Sequence, residues 1–423
     1  MIINFIKWFV LTISIMFFWL SLNVLSTKQG WFTNSIVVSK DATAFMSHME
    51  KSIKKDSKGN AVMLLIEGGK IIDDYTISKG QPVNRDSVFG VASLSKWVTA
   101  IGIMTLVDKG KLDLDKPVSF YLKKWKLPKS NFNNNNVTIR RLLSHTAGIT
   151  DGLGHNGFET RAEVQPLIEH LSKANDADEG VDGRVLVGIE PGSQFKYSGG
   201  SYNLLQLIVE EVTGSSFELY MSEFVFEPLE MSSTTYRHEN VTRLAQYFDD
   251  NGDERMYPFY TSLAATGLYS TANDLHKLVS MHYPETLNTG ESKSFLSKKL
   301  LKEMRMPEAS MMGIDIWGLG TMLFASNNES DYIIGHGGQS PSLNSTVRLN
   351  PANGNAIILL ETGNRALAAD SASMWTLWET GNPDMYMLKN MIPVMIKRVL
   401  IGCVFIFIAS LILVWHKRRV LKN

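Results

Sequence analysis

The sequence has one cysteine, Cys403, so no disulfide can form within a single chain. It has no net charge, with 42 Lys and Arg against 42 Asp and Glu, so its overall field favours neither nucleic acid nor another polyanion. It contains no His-Glu-x-x-His, no Cys/His group at zinc-site spacing and no Gly-rich phosphate loop. Neither a metal nor a cofactor is therefore expected. No internal repeat is evident, and the asparagine-rich stretch Asn131 to Asn136 reads as an exposed polar loop.

Long apolar runs lie at both ends. Trp8 to Thr27 carries no charge, and about 20 such residues are enough to cross a bilayer core. Val24-Leu25-Ser26 would serve as a signal-peptide cleavage site, yet the run exceeds the roughly 7–15 residues of a signal-peptide core. An uncleaved anchor is the preferred expectation over a signal peptide. The second run, Val399 to Trp415, ends in His416-Lys417-Arg418-Arg419, which the positive-inside rule places in the cytoplasm. The expected organisation is an anchor at 1–30, an extracytoplasmic domain at 31–396, and a transmembrane helix with a basic tail at 397–423. The partners implied are a lipid bilayer and a small substrate, not nucleic acid.

Between the apolar ends, Asp41 to Lys55 has the spacing of an amphipathic helix. Ala61 to Ile66 and Lys70 to Ile72 flank Gly68-Gly69 as a hairpin. From Asp113 to about Thr286 the pattern is helices and loops, including a helix at Tyr202 to Val212 that stops at Gly214. Strand patterns return at Trp317 to Phe324, Asp331 to Ile334, Ser345 to Leu349 and Ala356 to Glu361, before a closing helix at Ala366 to Glu379. Strands at both ends with helices between them predict an α/β (α+β) fold with one mixed sheet and an inserted helical region.

Ser93-Leu94-Ser95-Lys96 opens a run that is apolar nearly all round from Trp97 to Val107 and stops at Lys109-Gly110. Such a helix is buried. Residues three apart share a helix face, so Ser93 and Lys96 can touch. A serine hydroxyl needs a nearby base to become a nucleophile. The spacing alone is weak, because Ser52 and Lys55 match it within a charged surface pattern. Tyr197 and the His336-Gly337-Gly338 turn follow in the order that a serine acyl-transfer site needs.

Taken together, these stretches resemble the serine beta-lactamase-like family: class C beta-lactamases, low-molecular-weight penicillin-binding proteins and related esterases and D-amino-acid peptidases. The resemblance rests on Phe89 to Lys96, Gly110 to Val118, Leu142 to Gly148, Glu190-Pro191-Gly192, Tyr197-Ser198, Gly267 to Leu275 and Gly335 to Gly338, and covers about Ala61 to Asn364. It implies a largely antiparallel sheet flanked by helices. It also implies that Ser93 is the acylated nucleophile, Lys96 takes its proton and Tyr197 shuttles protons to the leaving group. His336 and Gly338 would stand where the family carries Lys-Thr-Gly. The backbone N–H groups of Ser93 and Gln339 would form the oxyanion hole. His145 would be structural, and Ser95 a supporting polar group.

Two departures bear on substrate. Gly199 stands where the family often has the asparagine of Tyr-x-Asn, and His336 replaces a lysine. An unperturbed imidazole is mostly uncharged at neutral pH, so a carboxylate on the substrate loses a partner. There is no Ser-Asp-Asn either, which disfavours the class A branch. The expectation is an esterase-like or D-amino-acid peptidase-like serine hydrolase. The alternatives are a DD-peptidase or beta-lactamase acting on cell-wall peptide or antibiotic, and a non-catalytic membrane receptor or scaffold.

Overall fold

The computed structural model describes residues 2–31, 40–150, 156–284, 287, 294–340 and 342–420. Helix α1 (Ile2–Lys28) is followed by α2 (Ala42–Asp56), capped by the Asp41 side chain, which accepts from Thr43 N–H at 3.0 Å. Strands β1 (Ala61–Glu67) and β2 (Lys70–Ile77) form the hairpin around Gly68-Gly69, both at positive φ. Strand β3 (Phe89–Gly90) leads through a 3-10 turn, Ala92–Leu94, into α3 (Ser95–Asp108).

The middle of the chain holds α4 (Ile139–Leu143), α5 (Leu167–Ser172), α6 (Gly199–Thr213), α7 (Phe217–Met221), α8 (Leu263–Thr266), α9 (Ala272–Ser280) and α10 (Lys298–Met304). Two short antiparallel ribbons interrupt these helices. One pairs β4 (Tyr247–Phe248) with β5 (Glu254–Arg255), and the other pairs β6 (Tyr269–Ser270) with β3. Strands β7 (Ala309–Met311), β8 (Ile314–Trp317), β9 (Met322–Ser326), β10 (Tyr332–Gln339), β11 (Leu343–Asn350) and β12 (Asn355–Thr362) come next. They precede α11 (Leu367–Thr380) and α12 (Met385–Val420).

The main sheet runs in the order β2-β1-β12-β11-β10-β9-β8-β7, and its pairings are antiparallel. Because side chains alternate along a strand, each face has its own apolar set. Val62, Leu64, Ile334, Val347 and Ile358 pack in one cluster with the buried residues of α3 and α6. Met63, Leu65, Ile333, Ile357 and Leu359 cluster with Phe45, Met46 and Met49 of α2 and Trp375 of α11. The expected α/β architecture is therefore the one observed, with both sheet faces covered.

The structure differs from the sequence reading at three places. The strand expected across Trp317 to Phe324 breaks into β8 and β9. There Gly320 takes φ +70° against α3, and a β-carbon would lie 2.2 Å from Ala100 Cβ. The strand expected to end near Ile334 continues to Gln339, so His336 is mid-strand rather than at a strand end. Pairing of Gly338 with Ser345 and Gln339 with Asn344 carries it on. Ser93 lies in the 3-10 turn that precedes α3 rather than in the helix itself.

Helices α1 and α12 are long and apolar enough to cross a membrane. They lie antiparallel. Trp8 Nε1 donates to Ser410 O at 3.2 Å, the Thr12 and Ser410 hydroxyls meet at 2.6 Å, and Trp19 packs where Gly402 has no side chain. A single helix runs through position 397, where the sequence suggested a boundary. The start of α12 is fastened to the sheet by a buried ion pair. Asp384 accepts from Arg348 of β11 and also from Met387 N–H, at 2.8 Å, in the first turn of the helix. Arg348 is fully buried, with its guanidinium 4.1 Å from the Phe324 ring centre. Removing one partner of such a pair strands a buried charge. Asp384→Ala should therefore cost about 3–5 kcal/mol, seen as a lowered melting temperature of the detergent-solubilised chain. Replacing both partners together (Arg348→Met with Asp384→Leu) should recover most of the loss.

Candidate active site

The Ser93 turn is shaped from three sides. Ala92, just before it, is at φ 47°, a left-handed conformation that a non-glycine residue holds only when its surroundings over-determine it. Ser95 supplies part of that constraint. Its hydroxyl donates to Ala92 O at 2.6 Å and accepts from Leu268 N–H at 3.1 Å, which ties the turn to the strand that follows α8. From β11, Ser345 Oγ donates to Val91 O at 2.7 Å. From β10, Gly338 comes so close that a β-carbon would lie 2.1 Å from Val91 O and 3.0 Å from Ala92 Cβ. Glycine is needed here for close approach. Gln339 ends β10 beside this contact, with its exposed side-chain amide donating to Arg365 O at 2.6 Å.

Lys96 lies in the first turn of α3 with none of its surface exposed. Its Nζ donates to Ser93 Oγ at 3.2 Å and to Ala265 O at 2.8 Å. It also lies 5.0 Å from the centre of the Tyr197 ring and 5.7 Å from that of Tyr202. The nucleophile candidate, the base candidate and Tyr197 are thus brought together. Ser93 is half-buried and Tyr197 is 40% exposed, so both are reachable from outside.

Tyr197 stands just before α6. Ser198 caps that helix by accepting from Ser201 N–H at 2.9 Å, while its own N–H donates to His145 Nδ1 at 3.1 Å. His145, at φ 58°, also accepts from Lys196 N–H through its carbonyl at 2.8 Å, and its ring centre is 4.4 Å from that of Tyr197. The bond to Nδ1 fixes the neutral form of the ring with the proton on Nε2. Burial, and after it the nearby charge of Lys96, holds the His145 pKa well below the usual histidine value. The expectation that His145 braces its loop by hydrogen bonds agrees with this geometry, and the ring also backs the tyrosine.

His336 lies on β10 on the same side as Gly338, because residues two apart share a strand face. It is buried and meets Trp317 edge to face at 5.3 Å, with Nδ1 2.6 Å from Gly337 O. A carbonyl accepts, so Nδ1 carries the proton. Nε2 is buried with no hydrogen-bond partner among the described residues. Burial first, then the charge of Lys96, pushes its pKa down to about 3, against a weaker upward pull from Gly337 O. The side chain that replaces the family's lysine is a neutral group.

Sequence reasoning missed the α8 carbonyl. Ala265 O has no side-chain signature, yet the turn that presents it is held on several sides. Gln206 Oε1 accepts from Ala264 N–H at 3.1 Å and its Nε2 donates to Thr261 O at 3.2 Å, while Thr99 Oγ1 donates to Ala264 O at 2.9 Å. Behind it, Asn203 donates to Ser262 Oγ at 3.0 Å and faces a buried His170–Asp176 pair at 2.6 Å. The second Ser-x-x-Lys, at Ser52 and Lys55, is on α2 across the sheet from Ser93. His155 of the His155-Asn156-Gly157 loop lies outside the described residues.

The family described as beta-lactamase matches residues 45–375 of this chain. Penicillin-binding protein 4* of Bacillus subtilis (strain 168) is 33% identical over 184 residues, which is 41% of this chain and 37% of that protein. The chain spans well under half the length of the curated relatives it matches. Among solved structures, the octameric penicillin-binding protein homologue from Pyrococcus abyssi superimposes with a TM-score of 0.65 at 24% identity, covering 80% of this chain and 76% of that one. The D-amino acid amidase from Ochrobactrum anthropi SV3 gives a TM-score of 0.59 at 22% identity, covering 86% and 97%. Both structural likenesses speak for the fold.

The buried histidines make stability depend on pH. His336 and His282 are each lowered from 6.5 to about 3 by burial. Between those values the unfolded chain binds more protons than the folded one, so stability falls as pH drops from 6.5 toward 3. Melting temperatures recorded over that range should fall with pH, and His336→Gln should flatten part of the fall.

Proposed function

The chain belongs to the beta-lactamase family, and on that premise we propose that it is a serine hydrolase working through an acyl-enzyme on Ser93. The observation that carries this is the Ser93 Oγ to Lys96 Nζ contact at 3.2 Å, with the lysine fully buried and the serine accessible. The step requires Lys96 in its neutral form, in which its amine takes the Ser93 proton while Oγ attacks the substrate carbonyl. The new C–O bond forms as the carbonyl π pair moves to oxygen, where the N–H groups of Ser93 and Gln339 receive it. Collapse expels the leaving group, protonated by way of Tyr197, and water then releases the acid and restores the serine. Oxyanion donors of this kind are each worth about 10²–10³ in rate.

The acyl group best suited to the site is uncharged beside the scissile bond. His336 is neutral and buried, and Gly199 offers no amide where the family often has asparagine. An ester or a D-amino-acid amide or peptide fits this better than a beta-lactam carboxylate. A DD-peptidase acting on cell-wall peptide uses the same chemistry and is the second reading. Two apolar helices, α1 and α12, support a membrane anchor, and the basic residues after Trp415 support cytoplasmic termini with the hydrolase domain outside.

The test is labelling of the purified full chain with a fluorophosphonate and with a fluorescent penicillin. Fluorophosphonate should label the protein and Ser93→Ala should abolish the signal, with little or no penicillin label. Lys96→Met should slow labelling by about 10²–10⁴, the range for loss of a general base. No Ser93-dependent label from either probe would sink the hydrolase reading, whereas strong penicillin labelling would move it to the peptidase. Gly338→Ala should also slow labelling, because its β-carbon displaces the Val91–Ala92 backbone from beneath the nucleophile.

A further inference from the structure

Across the sheet from Ser93, a cavity of about 620 Å³ opens where α1, α2, α11 and α12 converge. Helix α12 contributes the stripe Met387, Asn390, Met391, Val394 and Arg398, a spacing of three and four residues that marks one helix face. Over that stripe the helix rises about 16 Å, from the hydrolase domain to the edge of the apolar run that starts at Val399. Thr27, at the end of α1, lines the same cavity. The cavity therefore lies where the two apolar helices meet the domain.

Its polar groups are arranged by charge. Asp56 ends α2 and Asp370 lies in the first turn of α11, and both line the cavity. Neither forms an ion pair among the described residues. Burial holds the Asp370 carboxyl above its usual range, opposed by the Arg348 charge and reinforced to a lesser degree by the Asp56 charge. Ser371, also lining the cavity, is wholly buried, and its hydroxyl has no partner among the described residues. Arg398 stands at the membrane end of the α12 stripe.

We propose that this cavity binds the headgroup of a zwitterionic phospholipid of the phosphoethanolamine type. The ammonium sits between Asp56 and Asp370, where its three N–H donors meet two carboxylates, and the phosphate sits toward Arg398. The acyl chains follow the α1–α12 pair into the bilayer. An anionic headgroup fits poorly, because it sets one phosphate charge against two carboxylates with no ammonium to offset them. The inference rests on bilayer insertion of α1 and α12 and is independent of the hydrolase chemistry at Ser93.

The experiment uses the full chain in detergent, stripped of lipid, with phosphatidylethanolamine, phosphatidylcholine and phosphatidylglycerol added back in turn and bound lipid counted by native mass spectrometry. Phosphatidylethanolamine should bind most tightly and glycerophosphoethanolamine should compete with it. Asp370→Asn should weaken it by about fivefold, the worth of one partly exposed ion pair, and Asp56→Asn with Asp370→Asn should remove the preference. Circular dichroism melting of each variant checks that the fold survives. Equal binding of phosphatidylglycerol and phosphatidylethanolamine would overturn the headgroup site, as would selectivity that persists in the double variant. Failure of the intact chain to float with vesicles would overturn both the anchor and the site. Neither result bears on Ser93 labelling.

Discussion

A lysine with no exposed surface constrains everything around it. Lys96 is removed from water in the first turn of a helix that is itself buried nearly all round, and a buried amine is costly unless its hydrogen-bonding capacity is met. The fold meets it with Ala265 O, Ser93 Oγ and the faces of two tyrosines. Each of those partners is positioned by something else. Gln206 and Thr99 hold the α8 turn, Ser198 and His145 hold the start of α6, and Ser95 and Ser345 hold the backbone beside Ser93. The helical region and the sheet are joined through the demands of one side chain.

The same contacts explain why the serine side and the recognition side of the site are separable. The strained Ala92 and the close approach of Gly338 present Ser93 between the helix and the edge of β10. His336 lies two residues earlier on that strand, but it is folded into the wall against Trp317 and titrates far below neutral pH. The acyl-enzyme chemistry proposed for Ser93 therefore draws no fixed positive charge from His336. Among the candidate residues Lys96 is the one whose amine can carry a charge, and that amine is already committed to Ser93 and Ala265.

On the other face of the sheet, the ion pair from Arg348 to Asp384 performs a similar joining task. It connects a central strand to the first turn of α12, and the antiparallel packing of α12 on α1 through Thr12, Ser410 and Gly402 completes a helical pair attached firmly to the domain. A buried guanidinium is tolerated here because the carboxylate, the Thr376 hydroxyl at 3.0 Å and the Phe324 ring all face it.

The amino-acid sequence by itself determined the main helices and strands, the buried character of α3 and the apolar spans, because these follow from local spacing and periodicity, and its resemblance to a known family singled out Ser93, Lys96, Tyr197 and His336. Turn glycines such as Gly68, Gly69 and Gly214 were legible for the same reason: their conformational demand is local. Only the tertiary structure decided what depends on atoms distant along the chain. Ala265 O carries no side-chain identity and is brought to Lys96 by packing. The continuation of β10 past Ile334 depends on its pairing with β11, and the split between β8 and β9 depends on the approach of Gly320 to Ala100. The neutrality of His336 is likewise a matter of burial, which no residue within a few positions of it specifies. Periodicity fixes which face of an element turns inward, while the electrostatics and the close approaches at a site are set by what that face meets.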